Sequence, residues 1–124
     1  MINDRDKKEI TIIKENVTWQ DVDNFILSLK NYIKLNQFNG VYGPARGGLI
    51  FAVMISHRYN LPFLGAPQKG CICVDDIIDS GATALAWKNK GYNIVSMYYK
   101  PNDFVKPDYY YKEKDDKWIY FPWE

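Results

Sequence analysis

An apolar run at residues 71–74 stops on aspartates at positions 75, 76 and 79, and Ser80-Gly81-Ala82-Thr83 then opens a helical pattern. A strand handing over to a helix through a charged loop commits a chain to βα units, and the flanking segments agree. Val41 and Tyr42 read as a brief strand and residues 43–48 as a turn. Residues 49–59 read as a helix whose all-round hydrophobicity predicts burial. Residues 61–64 suggest a short strand and residues 65–67 a loop. The helix over 82–90 ends at Gly91, a residue suited to a left-handed C-terminus. Residues 92–99 form the next strand, and β-like segments at 108–112 and 118–121 follow. The expected fold class is α/β, a mainly parallel sheet flanked by helices.

At the other end, residues 1–9 read as a charged, flexible arm and residues 10–13 as a strand candidate. Thr18 is suited to cap a helix, with Asp21 three positions on as an imperfect capping box. Val22, Phe25, Ile26, Leu29 and Ile33 recur at helical spacing, so this helix packs on something. The 124 residues make one domain, able to bury about two thirds of its unfolded surface. No linker or internal repeat divides it.

Charge and cysteine usage exclude whole classes of function. Lys plus Arg is 16 and Asp plus Glu 15, a net charge of +1. That is no footprint for nucleic acid or an anionic membrane. The longest apolar run, residues 49–55, falls far short of the ~20 residues of a membrane helix, and no signal peptide is visible. Cys71 and Cys73 are poorly spaced for a disulfide, and a lone His57 offers them no metal partners. They read as small buried hydrophobes, and His57 as an ordinary helix residue. The setting expected is soluble, reducing and cytoplasmic.

The aspartate loop carries the most chemistry. Backbone N–H groups from Asp79, Ser80, Gly81, Ala82 and Thr83 sit at a helix N-terminus, where anions bind. Ser80 and Thr83 add hydroxyl donors, and Gly81 allows close approach. The dipole supplies only about 0.3–1 kcal/mol at an exposed site. Hydrogen bonds to a charged phosphate, about 1.5–3 kcal/mol each, dominate it. Asp75 and Asp76 suit vicinal hydroxyls and a hard cation such as Mg²⁺. Simple helix caps and solvated turn residues would use the same residue types. Three aspartates followed by Ser-Gly-x-Thr on a strand-to-helix junction fit a site for a phosphorylated sugar better.

Two other segments stand out. Gly43-Pro44-Ala45-Arg46-Gly47-Gly48 reads by itself as a turn, with Pro setting φ and Gly permitting positive φ. Yet Arg46 sits before two glycines at a helix start, and Arg suits bidentate phosphate contacts. Lys100-Pro101 follows a strand. Near the end of the sequence stand Trp118 and Trp123, which serve either packing or base stacking.

The segment Val74-Asp75-Asp76-Ile77-Ile78-Asp79-Ser80-Gly81-Ala82-Thr83 resembles the phosphoribosyl pyrophosphate (PRPP) signature of type I phosphoribosyltransferases. The Arg46-Gly47-Gly48 turn resembles that family's pyrophosphate loop. Lys100-Pro101, the Trp118-Ile119 to Trp123-Glu124 ending and Val17-Thr18-Trp19 are similar to the xanthine-guanine members. The resemblance covers residues 17–124. It implies Mg²⁺-dependent transfer of phosphoribose from PRPP to a purine base, a 6-oxopurine such as guanine, xanthine or hypoxanthine. Asp75 and Asp76 would hold the ribose hydroxyls, directly or through Mg²⁺. Ser80, Gly81, Ala82 and Thr83 would cradle the 5′-phosphate, and Asp79 would move a proton at the base. Arg46 and Gly47 would bind pyrophosphate. Lys100, Trp118 and Ile119 would bind the base, within a base-binding segment over 100–124. A homo-oligomer is expected. The family's mobile closing loop has only residues 60–70 in its place. That shortness keeps a second expectation in view, a PRPP- or nucleotide-binding regulatory module with weak or no catalysis.

Overall fold

The computed structural model describes residues 13–124. The expected arm and most of the 10–13 strand lie outside them. Ile13 is exposed and precedes the first strand, β1 (Lys14–Asn16). Helix α1 (Trp19–Ser28) follows, and its capping box is complete. Thr18 Oγ1 accepts from the Asp21 N–H at 3.1 Å, and the Thr18 N–H donates to Asp21 Oδ2 at 2.9 Å. The helical spacing predicts one helix through Ile33, but α1 stops at Ser28 and a short α2 (Lys30–Leu35) continues. The Ser28 hydroxyl takes the Phe25 carbonyl at 2.6 Å, and the Leu29 N–H reaches back only three residues, to Ile26. Local side-chain competition tightens the turn and breaks the helix there.

The main sheet is entirely parallel, as expected. Its order is β2 (Val41–Tyr42), β3 (Ile72–Ile78), β4 (Asn93–Tyr99) and β5 (Tyr109–Glu113). Phe63, from the 61–64 segment, bridges in parallel to Val41. Between β2 and Phe63 runs α3 (Gly47–Tyr59), and between β3 and β4 runs α4 (Ala82–Asn89). The chain therefore leaves β2 toward one edge and returns to β3 on its other side. The carboxyl ends of β2 and β3 flank a topological switch point, where open α/β sheets bind ligands.

One core cluster joins α1 and α3 to the sheet through Phe25, Leu29, Phe51, Ile55, Val74 and Met97. The other joins α4 through Ala84 and Trp87 to Cys71, Cys73 and Ile94. Both cysteines are free and fully buried, in line with their expected role as small hydrophobes. Helix α3 begins at Gly47 and buries only one face. Leu49 and Val53 stand 37% and 51% exposed, so its hydrophobicity overstated its burial. Among the described residues, no helix is long and apolar enough to cross a membrane.

The expected stop at Val74 does not occur, because β3 runs through Asp75 and Asp76 to Ile78. Its regularity does break there. Cys73 and Ile78 belong to the same cluster, although five residues apart they belong on opposite faces of a regular strand. The register pairs Asp75 with Ser96 and Ile77 with Tyr98 but skips Asp76. Asp75 Oδ1 accepts from the Asp76 N–H at 2.9 Å, and Asp76 Oδ1 from the Ile77 N–H at 2.7 Å. The carboxylates compete locally with the ladder, and strand pairing resumes at Ile77 because its side chain and that of Ile78 still find core.

A two-stranded parallel ribbon pairs β1 with β6 (Trp118–Tyr120), placing Lys14 opposite Trp118. The Tyr98 hydroxyl donates to Glu15 at 2.5 Å and fastens this ribbon to β4.

Candidate active site

The turn after β2 is shaped by close approach. Gly43, Gly47 and Gly48 do not occupy the positive-φ region expected of them. A Cβ on Gly48 would lie 2.3 Å from the Val74 carbonyl oxygen, and one on Gly43 2.1 Å from the Gly48 oxygen. The glycines let the start of α3 press against β3. Gly48→Ala is expected to destabilise the fold by about 1–3 kcal/mol, because the clash is with backbone. Thermal unfolding checks this, and an unchanged Tm refutes it.

That approach brings the two sequence motifs together. A Cβ on Gly47 would lie 2.3 Å from Asp76 Oδ2, so the Arg46-Gly47 turn rests on the second aspartate. A cavity of about 670 Å³ opens here, lined by Arg46, Gly47, Asp76, Trp123 and Glu124. Arg46 is exposed at the helix start, and the Ala45–Arg46 peptide is cis.

A second cavity, about 350 Å³, shares Asp76 and Glu124 with the first and adds Asp79, Lys114, Trp118 and Ile119. Trp118 is 59% exposed toward solvent, while Ile119 is buried. A third hollow, about 140 Å³, is lined by Asp75, Asp79, Ser80, Gly81 and Thr83 among others. Gly81 has φ +84°, the left-handed conformation that favours glycine, and its carbonyl accepts from the Leu85 N–H at 2.8 Å. Asp76 thus belongs to the first two cavities and Asp79 to the last two.

Lys100 and Ala82 do not line these cavities. The Lys100 N–H donates to the Ile78 carbonyl at 2.9 Å, and its Nζ lies 3.5 Å from Asp116 Oδ1. Residues 60–70 line none of the three, so no part of that short connection covers the site.

Burial pushes the Asp75 carboxyl up to about 7, with a smaller contribution from Asp76 beside it. Adjacent carboxylates with no cationic partner among the described residues fit a cation. Among the described residues, no three His, Cys, Asp or Glu side chains are grouped to hold one. A Mg²⁺ held by one or two carboxylates completes its shell with substrate oxygens and water, and this pair fits that role. Raised above the free carboxylate value of 3.8, Asp75 binds a proton in the folded state that the unfolded chain has lost. Stability therefore falls as pH rises from about 4 to about 7, then levels. Asp75→Asn should remove that fall; an unchanged Tm–pH slope between pH 4.5 and 7.5 would refute it.

Lys114, Trp123 and Glu124 line the cavities as well, although none of them is among the expected site residues. Lys114 lies in the charged run 112–117, where its backbone N–H donates to the Tyr99 carbonyl at 2.7 Å and its Nζ to the Asp115 carbonyl at 3.0 Å. Trp123 stacks on Phe121 with centroids 5.0 Å apart and planes 8° from parallel, and it meets Trp19 and Phe51. Glu124 follows it.

No family model matches the chain. A xanthine-guanine phosphoribosyltransferase of Chromohalobacter salexigens is 28% identical over 87% of this chain and 82% of its own length. The crystal structure of a purine phosphoribosyltransferase from Pyrococcus horikoshii superposes with a TM-score of 0.76 and 29% identity, over 90% of this chain and 94% of that one. In sequence and in fold, the chain is most similar to purine phosphoribosyltransferases of the xanthine-guanine kind. The Helicobacter pylori xanthine-guanine-hypoxanthine phosphoribosyltransferase shares the fold, with a TM-score of 0.76 at 19% identity, over 90% of this chain and 94% of that one.

Proposed function

We propose that this phosphoribosyltransferase moves phosphoribose from PRPP to a 6-oxopurine such as guanine, xanthine or hypoxanthine, releasing pyrophosphate. The observation that supports it best is the line of three cavities at the switch point, joined through Asp76 and Asp79. Each has the chemistry for one part of the substrates. Ser80, Gly81, Ala82 and Thr83 take the 5′-phosphate at the start of α4. Asp75 and Asp76 take the ribose hydroxyls, and Arg46 and Gly47 take the pyrophosphate. Trp118 stacks on the base, Ile119 supports it, and Lys100 is the cation for its exocyclic oxygen.

In the reaction, a base ring nitrogen bonds to C1′ as the C1′–O bond to pyrophosphate breaks, the leaving oxygen keeping the electron pair. Arg46 stabilises the charge that grows on the leaving group. Asp79 accepts the proton that the base nitrogen sheds. Mg²⁺, held by Asp75 and Asp76 directly or through water and the ribose hydroxyls, would supply charge neutralisation.

The regulatory-module alternative gains nothing from the relatives, which are named as transferases. A homo-oligomer and a cytoplasmic setting belong to the same proposal. The test is pyrophosphate release with Mg²⁺, PRPP and guanine, xanthine, hypoxanthine, adenine or uracil. Release that depends on an added 6-oxopurine supports the reading, and none with any base overturns it.

A further inference from the structure

We propose that Asn102 is a positioning residue that clamps the anion-binding turn and ties it to the base end of the site. The proposal rests on the reading of that turn as a 5′-phosphate site. Its contacts reach both ways. A Cβ built on Gly81 would lie 2.6 Å from Asn102 Oδ1 and 3.1 Å from Nδ2, so the amide rests directly on the Gly81 Cα. Gly81 is the left-handed residue that starts α4. Its conformation is thus held by the helix on one side and by Asn102 on the other.

The amide is itself well fixed. Oδ1 accepts from the Phe104 N–H at 2.8 Å and the Val105 N–H at 3.0 Å, and Nδ2 donates to the Lys100 carbonyl at 3.3 Å. Two accepted bonds settle which amide atom is oxygen. Val105 is buried in the cluster that holds Ile78, Ala84 and Tyr99, so the loop is anchored in core. The Lys100 N–H is bonded to the carbonyl of Ile78, at the end of β3. One side chain therefore sets the phosphate turn and the backbone that carries Lys100.

A neutral amide is also the side chain this place calls for. A carboxylate keeps both accepted bonds but puts negative charge against a turn that holds an anion. A serine keeps a local acceptor but is too short to rest on Gly81. Calorimetric titration with guanosine 5′-monophosphate and with guanosine separates these roles, because only the first has the phosphate. Wild type is expected to bind the monophosphate about 100-fold more tightly. Asn102→Asp should weaken the monophosphate about tenfold or more and the nucleoside less than about twofold. Asn102→Ser should show a smaller selective loss and covers the case in which the charged variant does not fold.

Equal losses for both ligands, or none, overturn the proposal. A wild type that gains nothing from the phosphate overturns it too, since the turn then holds no anion. Selective loss without base-dependent pyrophosphate release sinks the transferase reading and upholds Asn102.

Discussion

Asp79→Ala is expected to lower kcat by about 10²–10⁴-fold, the range for losing a positioned general acid–base group. PRPP affinity should stay within about threefold, since the phosphate, ribose and pyrophosphate ligands proposed here are other residues. Position singles out Asp79. It lines both the small hollow at the start of α4 and the larger cavity walled by Trp118, so its carboxylate stands where the proposed sugar and base sites meet. It is exposed, so removing it leaves no buried hole and little stability is at stake. Steady-state pyrophosphate release with a calorimetric PRPP titration checks the split. An unchanged kcat sinks the assignment, and a lost PRPP affinity moves Asp79 to the sugar.

Trp118→Ala should raise the KM for the base about 5–150-fold, the equivalent of the roughly 1–3 kcal/mol of one base–aromatic stack. The KM for PRPP should not move. At 59% exposure this indole is a large apolar surface beside a cavity, in a strand whose next residue, Ile119, is buried. Trp118→Phe retains a ring and should recover most of the loss. Because little of Trp118 is buried, Tm should barely change. If the alanine variant keeps its base KM, Trp118 is a surface residue with no part in recognition.

Much of this was legible along the chain, because the information is local. The aspartate loop, the start of α4 and the Arg46 turn are contiguous segments in which residue type and spacing carry the chemistry. The parallel α/β class followed from the same alternation. Two of the departures turned on a neighbour distant in sequence. The continuation of β3 past Val74 depends on Tyr98 and Tyr99 accepting Ile77 and Ile78 as partners. The exposure of Leu49 and Val53 depends on which face of α3 the sheet covers. The break at Ser28 was local, but it turned on a hydroxyl bonding to Phe25 that helical spacing does not reveal.

By itself, then, the sequence determined the chemical inventory: paired carboxylates, a hydroxyl-rich turn at a helix start, an arginine before two glycines and an aromatic segment at 118–123. Tertiary structure alone decided how these meet. Gly47 rests on Asp76 across 29 residues, Trp118 is held by a strand from the other end of the described chain, and Asn102 closes on Gly81. Such contacts are set by how sheet and helices pack, and packing selects partners by shape and burial over the whole fold. No spacing along a single segment encodes that choice.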